Sequence, residues 1–336
     1  MTGTVPNATT PAGLIRLCNA FCDAKALITA VELDLFTVLH DDPATEDQIR
    51  DRLRLHGRGL RDYLHLLVAL GLLEKDGDRY RNAAGADQYL VSHQPTFIGG
   101  FVRRAGTNLY PAWGRLTEAL RTGAPQTGSD YEQVIRDPGV LGQFVRMMDG
   151  LTQVLGPQLI EAFDGWPAGG SVLDVGGCRG NIAGQIVKAH PGLTGHVFDL
   201  PQMGPFFTEH MAALGLTGQV HFHGGNFFHD PLPEADVVIL GHVLHDFDPG
   251  RRKFLLGKAG AAVKPGGSLL VYDRMLEGEP PQVENLVISL DMLLVSDGGS
   301  EYPAGEVHEN ATAGGLTVVE DRKLGDFDTL VVLRKD

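Results

Sequence analysis

Ser171-Val-Leu-Asp-Val-Gly-Gly-Cys-Arg-Gly180 is a short apolar run that breaks into glycine, and its reading decides the fold. Val172, Leu173 and Val175 suit a buried strand, and the glycines permit a tight turn at its carboxyl end. Ile182, Ile186 and Val187 then recur at helical spacing. A strand, a glycine turn and a helix make the first unit of an alternating α/β domain.

The alternation continues outward from this unit. His196-Val-Phe-Asp-Leu200, Val220-His-Phe-His223, Ala235-Asp-Val-Val-Ile-Leu240 and Ser268-Leu-Leu-Val-Tyr272 are further strands with helices between them. Leu316 to Val319 and Leu330 to Leu333 supply two last ones. The pattern predicts an α/β fold over 168–336: a Rossmann-like, doubly wound, mostly parallel sheet that binds ligands at the carboxyl ends of its strands.

Which ligand follows from the first loop. Gly176 to Gly180 spells G-x-x-x-G, not the dinucleotide G-x-G-x-x-G, and no G-x-x-x-x-G-K-[ST] phosphate loop is present. Asp199 ends the second strand, 25 residues after Asp174. A carboxylate there accepts both ribose hydroxyls of a nucleoside, while the glycine turn lets the ligand approach the backbone. The competing reading of Asp199 is a plain strand-end turn residue.

Upstream, Ala12 to Leu90 is helical in pattern. Leu14, Leu17, Phe21, Ala24, Leu27, Ile28, Val31 and Leu35 fall at three- and four-residue steps, as on one long buried face. Thr45-Glu-Asp-Gln48 is a capping-box sequence, and Arg58 to Leu73 is a further helix. Asp76-Gly77 between Leu72–Lys75 and Asp78–Arg81 signals a hairpin. Helices followed by a hairpin predict a winged-helix domain over 1–95. Such domains often bind DNA, but Leu64, Leu66 and Leu67 make the recognition helix too apolar for a groove. An apolar first helix suits packing against a second subunit, so a homodimer is expected.

Residues 96–167 are expected to be a helical linker that contributes to the substrate pocket, with a break at Gly123–Gly128. Trp113, Phe144, Met147 and Met148 supply aromatic and thioether side chains, which either fill the core between helices or line a pocket for a flat ligand.

Composition agrees with a cytoplasmic enzyme. The chain has 336 residues, 43% hydrophobic and 21% charged. Its charge of 28 − 42 = −14 is the wrong sign for tracking nucleic acid. Met1 to Pro11 lacks a signal-peptide layout, and no apolar run approaches a membrane span. Cys18, Cys22 and Cys178 do not complete a zinc site.

With these residues in view, the chain resembles the class I O-methyltransferases of the caffeate and acetylserotonin type, including bacterial relatives that methylate antibiotic intermediates. The resemblance runs from about Leu27 to the C-terminus. It is carried by Leu173-Asp-Val-Gly-Gly177, Phe198-Asp-Leu-Pro201, Gly224-Gly-Asn-Phe-Phe228, Val243-Leu-His-Asp-Phe-Asp248, Lys264-Pro-Gly-Gly267 and Asp297-Gly-Gly-Ser-Glu301. It implies S-adenosylmethionine as cofactor and a small aromatic or polyketide-like acceptor. Asp174, Gly176, Gly177 and Gly180 would face the methionine part, Asp199 the ribose, and Leu200, Asn226 and Phe227 the adenine. His245 matches the catalytic base, Asp246 lies beside it at the substrate, and Asp273 and Glu301 match the acids that hold the imidazole. A phenol of pKa ~10 attacks a sulfonium methyl far better once deprotonated, and histidine suits that task.

The sequence departs from the family at several points. Asn226 replaces an aspartate, Cys178-Arg179 replace small residues, and Gly241-His242 stand where relatives carry a basic pair. Arg179 is expected to answer the cofactor's carboxylate or to point to solvent, and His242 to border the substrate. Tyr302, Pro303 and Glu306 are expected at the substrate rim. His242 and His245 lack a defined third ligand, so no metal is expected. Methylation at carbon or nitrogen is the alternative chemistry, and a non-catalytic cofactor-binding regulator the alternative class.

Overall fold

Residues 10–94, 96–127 and 138–336 are described by the computed structural model of the chain. The polar N-terminus and part of the expected helical linker, residues 128–137, lie outside the described residues. Two units are present, Met1–Tyr110 and Pro111–Asp336.

In the first unit, Thr45 Oγ1 accepts from the Gln48 N–H and Gln48 Oε1 from the Thr45 N–H, the expected capping box, opening helix Glu46–Leu53. Strands β1 (Ala44–Thr45), β2 (Leu73–Asp76) and β3 (Arg79–Asn82) form an antiparallel sheet in the order β1-β3-β2. Gly77 turns the β2–β3 hairpin with φ 58°. Phe36, Ile49, Leu64, Leu67 and Tyr80 form the core.

The single long first helix is not observed. The chain breaks it into Pro11–Cys18, Ala20–Glu32 and Leu35–Leu39, at Asn19 and at Asp34, whose φ is 58°. Asp visits the left-handed conformation at the second break more readily than most residues, and its carboxylate accepts from the Thr37 hydroxyl at 2.8 Å. The apolar periodicity therefore spans two environments. Ile28 and Val31 are buried, but Leu14, Ile15, Leu17 and Phe21 lie about half exposed.

The second unit is built on seven strands: β4 (Gly170–Val175), β5 (Leu193–Asp199), β6 (Val220–Gly224), β7 (Ala235–Gly241), β8 (Val263–Asp273), β9 (Leu316–Leu324) and β10 (Asp328–Lys335). Their order is β6-β5-β4-β7-β8-β10-β9. The first five are parallel, and β10 runs antiparallel to both its neighbours. Alternate residues face opposite helix layers. Leu173, Val175, Leu240 and Val271 pack with helices Pro249–Ala262 and Ala304–Ala313. Val172, Val197, Ile239 and Leu270 pack with Pro138–Ala162, Asn181–Ala189 and Gly204–Leu214. Burial on both faces explains why these strands are continuous apolar runs. Each such side chain contributes about 1.5–3 kcal/mol. The order reverses between β4 and β7, so the carboxyl ends of β4, β5 and β7 border one crevice.

Candidate active site

The loop after β4 is held by close packing. A Cβ on Gly176, whose φ is 76°, would lie 2.7 Å from Val243 Cγ2, and one on Gly177 would lie 2.5 Å from the Asp174 carboxylate. The loop's Cys178 N–H donates to Asp199 Oδ2 at 2.7 Å, and the Leu200 N–H donates to Oδ1 at 2.6 Å. Burial nevertheless pushes the Asp199 carboxyl up to about 6 against those two bonds. Asp174 is buried with no hydrogen-bond partner for Oδ2 among the described residues. Burial first, then Asp199, push it up to about 7. Two buried acids with no paired cation among the described residues make a receptor for hydroxyl and ammonium donors. Asp174 lines an open cleft of about 360 Å³ together with Met148, Asp149, Gly176, Gly241 and Tyr272, among others. Gly180, at φ 84°, caps the helix that follows.

Arg179 does not point freely to solvent. Its Nε lies 2.8 Å from Asp149 Oδ1, on helix Pro138–Ala162, and its Nη2 pairs with the other oxygen. Asn181 Nδ2 donates to Thr152 Oγ1 at 2.8 Å on the same helix. These bonds tie the helix to the glycine loop. Of the four aromatic and thioether candidates, Met148 lines the cleft and Phe144 packs with Cys178 and Met203. Met147 is buried, and Trp113 Nε1 donates to Asp291 Oδ1 at 2.6 Å.

Asn226 builds the turn after β6. Its Oδ1 accepts from the Phe228 N–H at 2.9 Å, and its own N–H donates to Asp230 Oδ2 at 2.8 Å. An adenine amino group would share that oxygen with the turn. Phe227 packs edge-on against Phe228 and Phe247.

The base cluster forms where β7 ends. A Cβ on Gly241 would lie 2.0 Å from the Tyr272 ring, so glycine is required there. A turn at Leu244–Asp246 then presents His245. The Ser300 N–H donates to the His245 carbonyl at 2.9 Å, and a Cβ on Gly299 would lie 2.8 Å from that oxygen. Asp297-Gly-Gly-Ser-Glu301 thus wraps the His245 backbone and delivers Glu301. Glu301 Oε1 lies 2.6 Å from His245 Nδ1. Asp273 Oδ1 is 3.5 Å from the same nitrogen, and its other oxygen accepts from the Tyr302 hydroxyl. Asp246 Oδ1 is 3.9 Å from Nε2, and Asp246 is half exposed. His245, Asp273 and Glu301 are all buried.

Burial opposes charge on His245, but Asp273 and then Glu301 outweigh it and push the imidazole up to about 10. Burial, reinforced by Glu301, pushes Asp273 up to about 7. With Nδ1–H donating to Glu301, Nε2 is the nitrogen that accepts a proton.

Tyr302 and Glu306 are not rim residues. Tyr302 is buried beneath Asp273, and Glu306 pairs with Arg252 at 2.7 Å. His242 belongs to the base cluster, with Nε2 3.4 Å from Asp328 Oδ1. Asp149, Tyr272 and Asp328 were not singled out from sequence. Tyr272 adjoins a recognised strand-end acid, but Asp328 meets His242 only through the pairing of β10 with β8. Among the described residues, His242, His245 and Asp273 are the group whose ligand atoms lie within 4.8 Å of one another, close enough to reach one metal ion. His245 Nδ1 and one Asp273 oxygen are, however, already engaged by Glu301 and Tyr302.

Residues 113–317 match the O-methyltransferase domain, and residues 15–92 match the O-methyltransferase dimerisation domain. The tetracenomycin polyketide synthesis 8-O-methyl transferase TcmO of Streptomyces glaucescens is 45% identical over 97% of both chains. The N,N-dimethyltransferase OxyT of Streptomyces rimosus is 38% identical over 94% of both. The crystal structure of human N-acetylserotonin methyltransferase with S-adenosylmethionine superposes with a TM-score of 0.88, at 28% identity over 98% of this chain and 99% of that one. No described helix is long and apolar enough to cross a membrane.

Proposed function

The chain belongs to the O-methyltransferase family and carries its dimerisation domain, and from that premise we propose that it methylates a phenolic or enolic oxygen of a polyketide-type aromatic, with His245 as base. It is an S-adenosylmethionine-dependent methyltransferase. The observation that carries the base is the buried His245 Nδ1–Glu301 contact of 2.6 Å, which turns Nε2 into the acceptor.

S-adenosylmethionine, when bound, supplies an electrophilic methyl on a sulfonium. Asp199 would accept from its ribose hydroxyls, and Asp174 would stand at its methionine end. The acceptor hydroxyl sits against His245 Nε2. His245 Nε2 would take the hydroxyl proton while the acceptor oxygen gains the methyl group that S-adenosylmethionine would supply. Asp273 and Glu301 stabilise the imidazolium, as a carboxylate does in a hydrolase triad. The products are a methyl ether, S-adenosylhomocysteine and a proton that leaves from His245. The carboxylates that stabilise the imidazolium also push the imidazole up to about 10, so its neutral, proton-accepting form grows with rising pH.

OxyT, an N,N-dimethyltransferase by name, keeps a second reading open, methylation of an aromatic amine on the same scaffold. The test is incubation with S-adenosylmethionine and a panel of fused-ring phenols and amines, read by mass for one added methylene. His245→Ala separates the chemistries. Collapse of turnover at saturating acceptor supports the base, and near-normal turnover leaves only proximity. The protein is further proposed to be a homodimer. The support is the dimerisation domain and the exposed Leu14, Ile15, Leu17 and Phe21 within it.

A further inference from the structure

Arg252 is a buried cation, 4% exposed, near the start of helix Pro249–Ala262. The place suits a positive charge poorly, because burial strips its hydration and the helix presents its positive end there. The guanidinium is nevertheless held on both edges. Nε donates to Glu306 Oε1 at 2.7 Å and Nη2 to Oε2 at 3.1 Å. On the other edge Nη1 donates to the Phe247 carbonyl at 2.8 Å, and reaches the Ser300 hydroxyl at 3.3 Å and its carbonyl at 3.4 Å. The guanidinium carbon also lies 4.7 Å from the centre of the Tyr302 ring, whose hydroxyl donates to Asp273.

These partners flank the base and its acid in the chain. Phe247 lies two residues after His245, Ser300 immediately before Glu301, and Tyr302 immediately after it. We propose that Arg252 is a positioning residue for the base: its forked guanidinium clasps the His245 turn to the Glu301 segment, and so sets the 2.6 Å contact between the imidazole and Glu301. The proposal rests on the reading of His245 as base.

Both segments need such a clasp. The turn at Leu244–Asp246 is three residues long, and residues 299–303 belong to no helix or strand. Neither backbone is fixed by a ladder of its own, so their relative placement depends on cross-links. One is the Ser300 N–H donating to the His245 carbonyl at 2.9 Å. Arg252 adds the other, two residues further along, and together they close a ring through both segments. An arginine suits that task because its donors leave one rigid plane in fixed directions. Glu306, on helix Ala304–Ala313, holds the opposite edge and keeps the plane from turning. Lysine at this position would keep the charge without the fork.

The experiment is a double-mutant cycle on kcat against pH, with S-adenosylmethionine and acceptor saturating, for the wild type, Arg252→Gln, Glu301→Gln and the double variant. Tm is recorded for each, and turnover is read well below the lowest. The expected result is that Arg252→Gln lowers the alkaline plateau between about tenfold and a hundredfold, with the acceptor KM nearly unchanged. In the Glu301→Gln background, where the contact is already weakened, the same substitution costs only about twofold. Arg252→Lys, which keeps a cation beside Glu306 to protect the fold, runs through the same cycle and shows the same pattern at smaller amplitude. Losses that multiply in the double variants overturn the proposal, because Arg252 then acts independently of the Glu301 contact. A lower Tm with kcat and its pH profile unchanged also overturns it, and leaves Arg252 a stabilising ion pair with Glu306. Full turnover in His245→Ala is a separate failure, that of the base itself.

Discussion

Glu301→Gln keeps the shape of the side chain against His245 and removes its charge. The contact is 2.6 Å, both residues are buried, and the second carboxylate oxygen has no partner among the described residues. A buried hydrogen bond between charged groups is worth about 1.5–3 kcal/mol. At about 1.4 kcal/mol per decade, the imidazolium loses roughly 10- to 150-fold of its stabilisation. That loss acts twice. It lowers the plateau of kcat, because the proton arriving on Nε2 is less stabilised. It also lowers the pKa of His245, now pushed up to about 10, by about one to two units. Below the limb the two effects cancel, since a larger fraction of His245 is neutral while each neutral base is weaker. The expected profile therefore has a lower plateau reached at lower pH, with little change on the acid side. The assay is kcat against pH with both substrates saturating. A plateau that falls while the limb stays in place would refute the electrostatic account and leave Glu301 an orienting role alone.

Asp199 and Asp174 are pushed up to about 6 and about 7, so S-adenosylmethionine affinity should rise with pH through that window and level off above it. The raised acids favour their protonated forms below the window, and isothermal titration at several pH values reads the slope. Arg179→Ala leaves Asp149 unpaired beside the cleft. If Arg179 serves the donor's carboxylate, Kd rises about tenfold or more, and an unchanged Kd in calorimetry restricts Arg179 to tying helix Pro138–Ala162 to the loop. Gly299→Ala places a Cβ 2.1 Å from Ser296 Oγ and 2.8 Å from the His245 carbonyl, so thermal unfolding should show a loss of about 1–3 kcal/mol together with lower kcat. Gly305→Ala is the control, in helix Ala304–Ala313 with open space around its Cβ, and should gain about 0.4–1 kcal/mol. Phe21→Asp places a charge on the exposed apolar face of the first unit, and sedimentation should find a monomer; an intact dimer would move the interface elsewhere.

Much of this protein follows from short-range pattern. Apolar runs separated by helical spacing are enough for a doubly wound sheet, because burial on two faces demands them. The glycine turn after β4 and Asp199 at the end of β5 carry their chemistry in local motifs, whereas the two acids of His245 are implied by the family resemblance alone. Pattern stops where contacts cross the sheet. Glu301 meets His245 across 56 residues, so only the family resemblance put both acids at the imidazole, and it could not say that Glu301 makes the hydrogen bond while Asp273 is held by Tyr302. The apolar face of the first helix illustrates the same limit, since periodicity marks a face to be covered without saying by what. Asp328 had no local signal at all. It reaches His242 because β10 inserts antiparallel beside β8, and a charge network closed by strand order exists only once the sheet has formed.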